Sequence, residues 1–213
     1  MDTTEELEKY RVEMSRKRRI QQQALAILTR AKEAGIPQDM MRIPEKTFFE
    51  LLDTGYFADN YQMNKKQLEE YCHALFTTPD MLMKKSFILI DGGDLYSRNK
   101  AGFALLFRMI AWDNNAKYYF YAKMAHQLQS WDTGQGISRN SLAEDLKNYD
   151  TMFVGEYLPD LAKASWDTGG FLDEIFAERD AEGLPTILSF INVLPARSMA
   201  GEGAIAQAIS NLK

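Results

Sequence analysis

Four short apolar runs, each followed by a stretch with helical spacing, organise the second half of the chain. Residues 87–90 (FILI), 117–121 (KYYFY), 151–154 (TMFV) and 185–193 carry the apolar or β-prone character of short strands. Between and after them, residues 101–111, 124–131, 138–146, a segment within 168–183 and the tail 200–212 read as helices. Strand and helix alternate, which predicts a mainly parallel sheet with helices on both faces. The first half is helical in character. Residues 4–34 space Leu7, Tyr10, Met14, Ile20, Ala24, Ile27 and Leu28 at helical intervals, and Gly35 and Pro37 end the run. Residues 36–60 read as irregular or short helical, and 65–76 as a further helix. The expected organisation is a charged N-terminal helix (1–34) suited to binding a partner, a helical lead-in (35–84) and an α/β core (85–213).

In such a core the ligand crevice lies beyond the carboxyl ends of the strands. The loops 92–99, 122–123, 155–158 and 192–197 are expected to open there. The first is the most informative. The stretch SFILIDGGDLYSRNK (86–100) has the outline of a strand, a phosphate loop and a helix. A working phosphate loop needs G-x-x-x-x-G-K-[ST], so that backbone N–H groups, the lysine and a magnesium-bound hydroxyl converge on the phosphates. Gly92, Gly93 and Lys100 keep part of that pattern, and Arg98 is placed to assist the lysine. Ala101 stands where the hydroxyl belongs, Asn99 where the second glycine belongs, and the span is one residue too long. The strand 151–154 leads to Gly155 and Glu156; the glutamate is the candidate water-orienting acid, and the glycine stands where a metal carboxylate is expected.

The bulk numbers narrow the partners. The chain has 213 residues, and a formal charge of -5 disfavours broad duplex binding, so any nucleic-acid contact must be a local patch. Arg16, Lys17, Arg18 and Arg19 form the one concentrated basic run, a candidate contact for DNA or for an acidic partner. The single cysteine, Cys72, excludes an intramolecular disulfide and a multi-cysteine metal site, and no metal site is expected. The acidic, polar N-terminus does not read as a signal peptide and no apolar run reaches the length of a membrane span. A cytoplasmic protein without a membrane partner is the expectation.

Several short motifs resemble one family. They are Gly35-Ile36-Pro37 with Thr47-Phe48, Tyr71, the 87–100 stretch, residues 118–128, LKNYDTMFVGEY (146–157) and FLDEIFAERDAEGLPTILSFIN (171–192). Together, over residues 35–197, they resemble the bacterial and phage loaders of the replicative DNA helicase, an AAA+ family that includes transposase-associated ATPases. The resemblance implies an AAA+-like P-loop fold with degenerate Walker A and Walker B motifs. It implies nucleotide contacts at Gly92, Gly93, Lys100 and the nucleotide-sensing Asn192, and arginines Arg179 and Arg197 that reach a neighbouring subunit's site in a homo-oligomer.

The implied function is that of a phage or mobile-element DNA-replication accessory protein. It would bind a replicative helicase or its loader, and single-stranded DNA through residues 16–19, with ATP hydrolysis weak or lost. No cofactor is required on this reading; ATP with magnesium is an optional ligand. The alternative is a non-catalytic scaffold, including an inhibitor of host helicase loading. The enzymatic competitor is a metal-dependent nuclease using Asp91, Asp94, Glu156 and Asp167.

Overall fold

The computed structural model describes residues 3–41, 87–90, 95–129, 136, 138–157 and 171–190, with seven further positions between 66 and 78. Gly92, Gly93, Asp91, Asp94, Asp167, Asn192, Arg197 and the tail 200–212 lie outside the described residues, as do Thr47, Phe48 and Tyr71.

The expected alternation is present. Helix α1 (Thr3–Glu33) precedes strand β1 (Phe87–Ile90), helix α2 (Leu95–Ala111), strand β2 (Ala116–Phe120) and helices α3 (Tyr121–Gln129) and α4 (Arg139–Lys147). Strand β3 (Thr151–Tyr157), helix α5 (Phe171–Ala181) and strand β4 (Thr186–Phe190) follow. The four strands form a parallel sheet in the order β1-β4-β3-β2. The described fold is thus α/β, a small parallel sheet flanked by helices.

Alternation along each strand assigns the two faces. Phe153 and Ile187 join Phe103, Ala104 and Leu106 of α2 in one buried cluster, with Tyr118 packed against it. The intervening positions turn the other way: Tyr119 donates to Asp145 of α4, and Thr186 meets Arg179 of α5. Helix α2 therefore covers one face, and α4 and α5 the other. Burying a large apolar side chain is worth roughly 1.5–3 kcal/mol, and both faces contribute: Leu105, Leu106, Met109 and Phe153 are almost wholly enclosed on the α2 face, as are Leu146, Leu172 and Phe176 of α4 and α5.

Gly102 sets the distance between α2 and the sheet. A Cβ there would lie 2.2 Å from Phe153 Cζ. Phe153 cannot give way, because its ring is wedged against Phe103 (5.4 Å) and Tyr118 (5.1 Å). Gly102→Ala gains about 1 kcal/mol of helix propensity, yet overpacking must outweigh it. The expected outcome is a net loss of about 1–3 kcal/mol in chemical denaturation; a stabilised variant would show that α2 stands further from the sheet.

Helix α1 ends on Gly35, whose φ of 87° allows a Schellman closure: Ile36 N–H donates to Ala31 C=O and Gly35 N–H to Lys32 C=O. Ala31, Ala34, Ile36 and Met40 are buried in the core cluster. Ala34 C=O accepts from Tyr118 N–H (2.8 Å), so this turn covers part of the edge of β2. Arg30 pairs with Asp113 (2.5 Å), the residue with φ 72° just past α2. Along its length before that turn the same helix carries exposed apolar residues, Leu7, Tyr10, Val12, Ile20 and Leu25.

Three expectations need correction. The loop 92–99 is not open as far as 99, because α2 begins at Leu95 and takes in Arg98, Asn99 and Lys100. Residues 122–123 lie within α3 and are not a loop. Strand β3 runs beyond Val154 to Tyr157, through an irregularity.

Candidate functional site at the carboxyl edge of the sheet

The irregularity in β3 builds the site. Val154 pairs with Leu188 and Tyr157 with Phe190, so three steps on β3 match two on β4. One extra residue is accommodated as a bulge, and Glu156 takes φ 56° there. A left-handed backbone is uncommon for a residue other than glycine, asparagine or aspartate. The bulge turns the Glu156 side chain towards α2 and Arg98 instead of the opposite face. Its backbone N–H donates to Ser189 Oγ at 2.8 Å.

Arg98 comes from the start of α2. It shares a face with Ala101, Gly102, Leu105 and Met109, the i, i+3, i+4, i+7, i+11 stripe that lies on the sheet. At that end of the stripe the sheet's carboxyl edge is reached, and the guanidinium meets Glu156. Nε donates to Oε1 at 3.3 Å and Nη2 to Oε2 at 3.0 Å. Both side chains are almost entirely buried, 8% and 6% exposed. A two-pronged guanidinium–carboxylate contact is the strongest geometry such a pair adopts. Ser189 Oγ lies 3.4 Å from Glu156 Oε1 and 3.5 Å from Asn99 Oδ1. Burial and then the Glu156 charge push the Tyr118 phenol up to about 12.

Gly155 has a packing reason. A Cβ at this position would lie 2.8 Å from Tyr118 Cε2, 2.9 Å from its hydroxyl and 3.2 Å from Asn99 Oδ1. The place where a metal carboxylate was sought is covered by a tyrosine ring. Lys100 is two residues from Arg98 and so roughly 200° away around α2. It is half-buried and holds its ammonium 5.3 Å from the Tyr96 ring centre. Of the two cations, Arg98 is the one brought to Glu156. The helical register of residues 98, 101, 102, 105 and 109 is the sequence signal that could have singled it out; Ser189 and Tyr118 were not marked by any such signal.

Arg179 lies at the other end of the sheet. It is fully buried in its own chain and is not placed to reach a neighbouring subunit. It sits at the amino ends of β3 and β4, away from Glu156. Nε donates to Thr186 Oγ1, Nη1 to Leu146 C=O and Tyr149 C=O, and Nη2 to Pro185 C=O and, at 3.5 Å, Asp150 C=O. Burial lowers its pKa to about 10, which leaves it charged at neutral pH.

Residues Arg16, Lys17, Arg18 and Arg19 are all exposed on α1, with Lys17 paired to Glu13 at 2.7 Å. Among the described residues no cluster of three or more His, Cys, Asp or Glu is grouped to hold a metal ion. No described helix is long and apolar enough to cross a membrane. No protein-family model matches the chain, and no curated protein sequence matches it.

Proposed function

We propose that this chain is a non-hydrolysing DNA-replication accessory protein of AAA+-like build, which binds a replicative helicase or its loader through α1. The observation that carries the reading is the Arg98–Glu156 contact. A phosphate loop after β1 and an acid ending β3 would open on the same edge of a parallel sheet, and here the acid that ends β3 is engaged by the chain's own Arg98. An acid that orients an attacking water must offer it a free oxygen, whereas both Glu156 oxygens accept from Arg98. Ala101 in place of the magnesium hydroxyl supports the same reading.

Binding then falls to surfaces. Leu7, Tyr10 and Leu25 are exposed along α1 beside the cations 16–19, a mixture of apolar anchors and charge suited to a protein partner. The test is co-purification of the full chain with a hexameric replicative helicase. The expected result is capture by wild type and at least a tenfold loss, about 1.4 kcal/mol, for Arg16/Lys17/Arg18/Arg19→Ala. Capture unaffected by the substitutions would remove α1 from the interface.

A second reading rests on the same exposed cations: single-stranded DNA docks there. Phosphate contacts would make the affinity fall steeply with salt. Tyr10 is the one aromatic in α1, so stacking support is thin. Fluorescence anisotropy with labelled single strands separates the two. DNA affinity lost together with helicase capture favours shared use of the patch; unchanged DNA affinity assigns it to the protein partner.

A further inference from the structure

Helix α1 stands clear of the described core along most of its length. From Leu7 to Ala26 every side chain is exposed except Met14 and Ala24, which are half-buried. The helix reaches the core through its last turns, where Ile27 packs against the buried cluster that Ala31 and Ala34 belong to. Helices in proteins owe most of their stability to a packed apolar face. Here Leu7, Tyr10, Ile20 and Leu25 are each more than half exposed.

Written as heptads with Leu7 at position a, the helix places Leu7, Met14 and Gln21 at a, and Tyr10, Lys17 and Ala24 at d. The flanks of that seam carry a second order. Residues 6, 13 and 20, at g, are Glu, Glu and Ile; residues 11, 18 and 25, at e, are Arg, Arg and Leu. In a parallel two-stranded coiled coil each g position faces the e position five residues on in the partner helix. All three pairings match: 6 with 11 and 13 with 18 are acid with base, and 20 with 25 is apolar with apolar. An antiparallel pair sets g against g and e against e, which forfeits every opposite-charge match. We propose that residues 6–25 of α1 are a dimerisation element, pairing in parallel with the same helix of a second copy of this chain. The occupant follows from charge: a partner for this face must offer arginines opposite 6 and 13 and acids opposite 11 and 18, and the chain itself does.

The two polar seam residues fit this arrangement. Lys17 is held at 2.7 Å by Glu13 of its own helix. Its stem covers the seam while the ammonium stays at the flank. Gln21 can bond its counterpart amide to amide. Polar residues in a seam fix register and strand number at a cost in stability. Ile27, Ala31 and Ala34, which meet the core, lie about 100° round the helix from the seam, so the core does not occupy it. Val12, Arg16 and Arg19 fall at f, c and f and point outward. The pairing does not rest on the helicase reading. A partner that takes the apolar side of α1 competes with the second copy, and one that takes the outward cations does not.

Sedimentation velocity of the full chain over a dilution series, with no helicase present, tests the pairing; circular dichroism checks the fold of each variant. Wild type is expected to form a reversible dimer of twice the 24.4 kDa chain mass. Arg11→Glu/Arg18→Glu and Glu6→Arg/Glu13→Arg each set like charges across both flanks and should weaken the dimer at least about tenfold. An equimolar mixture of the two should restore it. Val12→Gln, on the outer face, should leave it unchanged. Oxidation in a Cys72→Ser background reads the orientation: Leu7→Cys should form an intermolecular disulfide and Val12→Cys should not.

A wild type that stays monomeric throughout the series overturns the proposal. So does a dimer that both charge-reversed variants retain, or a mixture of them that stays monomeric. Leu7→Cys that cross-links no better than Val12→Cys overturns the parallel arrangement and the proposal with it. Should the Cys72→Ser background fail to fold, the sedimentation and mixing results decide by themselves. Helicase capture is a separate measurement, so failure of one reading leaves the other standing.

Discussion

Replacing Arg179 with alanine is expected to cost at least about 4 kcal/mol, a large share of the roughly 5–15 kcal/mol by which domains are stable. The side chain is wholly enclosed and donates to four backbone carbonyls and the Thr186 hydroxyl. These acceptors lie at the end of α4, the entry to β3 and the entry to β4, so a single guanidinium ties together three segments on the α5 face. Hydrogen bonds to a charged group are worth about 1.5–3 kcal/mol each when measured singly. They are not additive here, because the acceptors share one donor group, but truncation leaves several carbonyls buried without it. Lysine keeps the charge yet offers three donors from one point in place of a planar fork. Arg179→Lys should therefore recover under half of the loss. Urea denaturation of both variants checks this. A loss below about 1 kcal/mol for R179A would mean that water reaches the carbonyls.

Arg179 also explains what the sequence could and could not reveal. Leu172, Ile175 and Phe176 were recognisable as the apolar side of a helix, and Arg179 continues their i, i+3, i+4, i+7 spacing. Pattern reading assigns an arginine to the surface, and the resemblance to helicase loaders assigned it to a neighbouring subunit. Its acceptors at Leu146 and Tyr149 lie 33 and 30 residues away. No local pattern encodes them.

The same holds at the other end of the sheet. Strands β3 and β4 were legible as apolar runs because Met152, Phe153, Val154, Ile187 and Leu188 are buried on both faces of the sheet. The first turn of α2 was not, since Leu95 to Lys100 was compared with a loop template that the Gly92-Gly93 pair suggested. Including Arg98 in the buried stripe would have extended the helix and separated it from Lys100 by their angle around the axis. Glu156 was identified as the acid at the end of β3, but its partner 58 residues earlier depends on the bulge. A bulge is set by pairing between strands and is invisible in one strand's alternation. Gly155 was read through its missing carboxylate; the ring of Tyr118 supplies the packing reason.

The energetic weight of the edge contact can be isolated by a double-mutant cycle. Arg98→Met keeps much of the side-chain length but leaves the Glu156 carboxylate buried without its guanidinium, and a loss of about 3–5 kcal/mol is expected. Glu156→Gln keeps shape and an acceptor oxygen but strands a buried cation beside a neutral amide, and should also be destabilising. Combining the two removes both charges. The double variant should be more stable than the sum of the single losses predicts, with a coupling of at least about 2 kcal/mol. That magnitude discriminates between a dry and a wet ion pair. Exposed ion pairs couple by about 0.2–1 kcal/mol and weaken as salt screens them. A buried pair should keep its coupling when denaturation is repeated at about 1 M salt, where charges are screened beyond about 3 Å in solvent. Coupling under about 1 kcal/mol, or one that vanishes with salt, would show that solvent enters between α2 and the end of β3. The proposed loss of hydrolysis would then lose its physical basis, since Glu156 would be free to meet water.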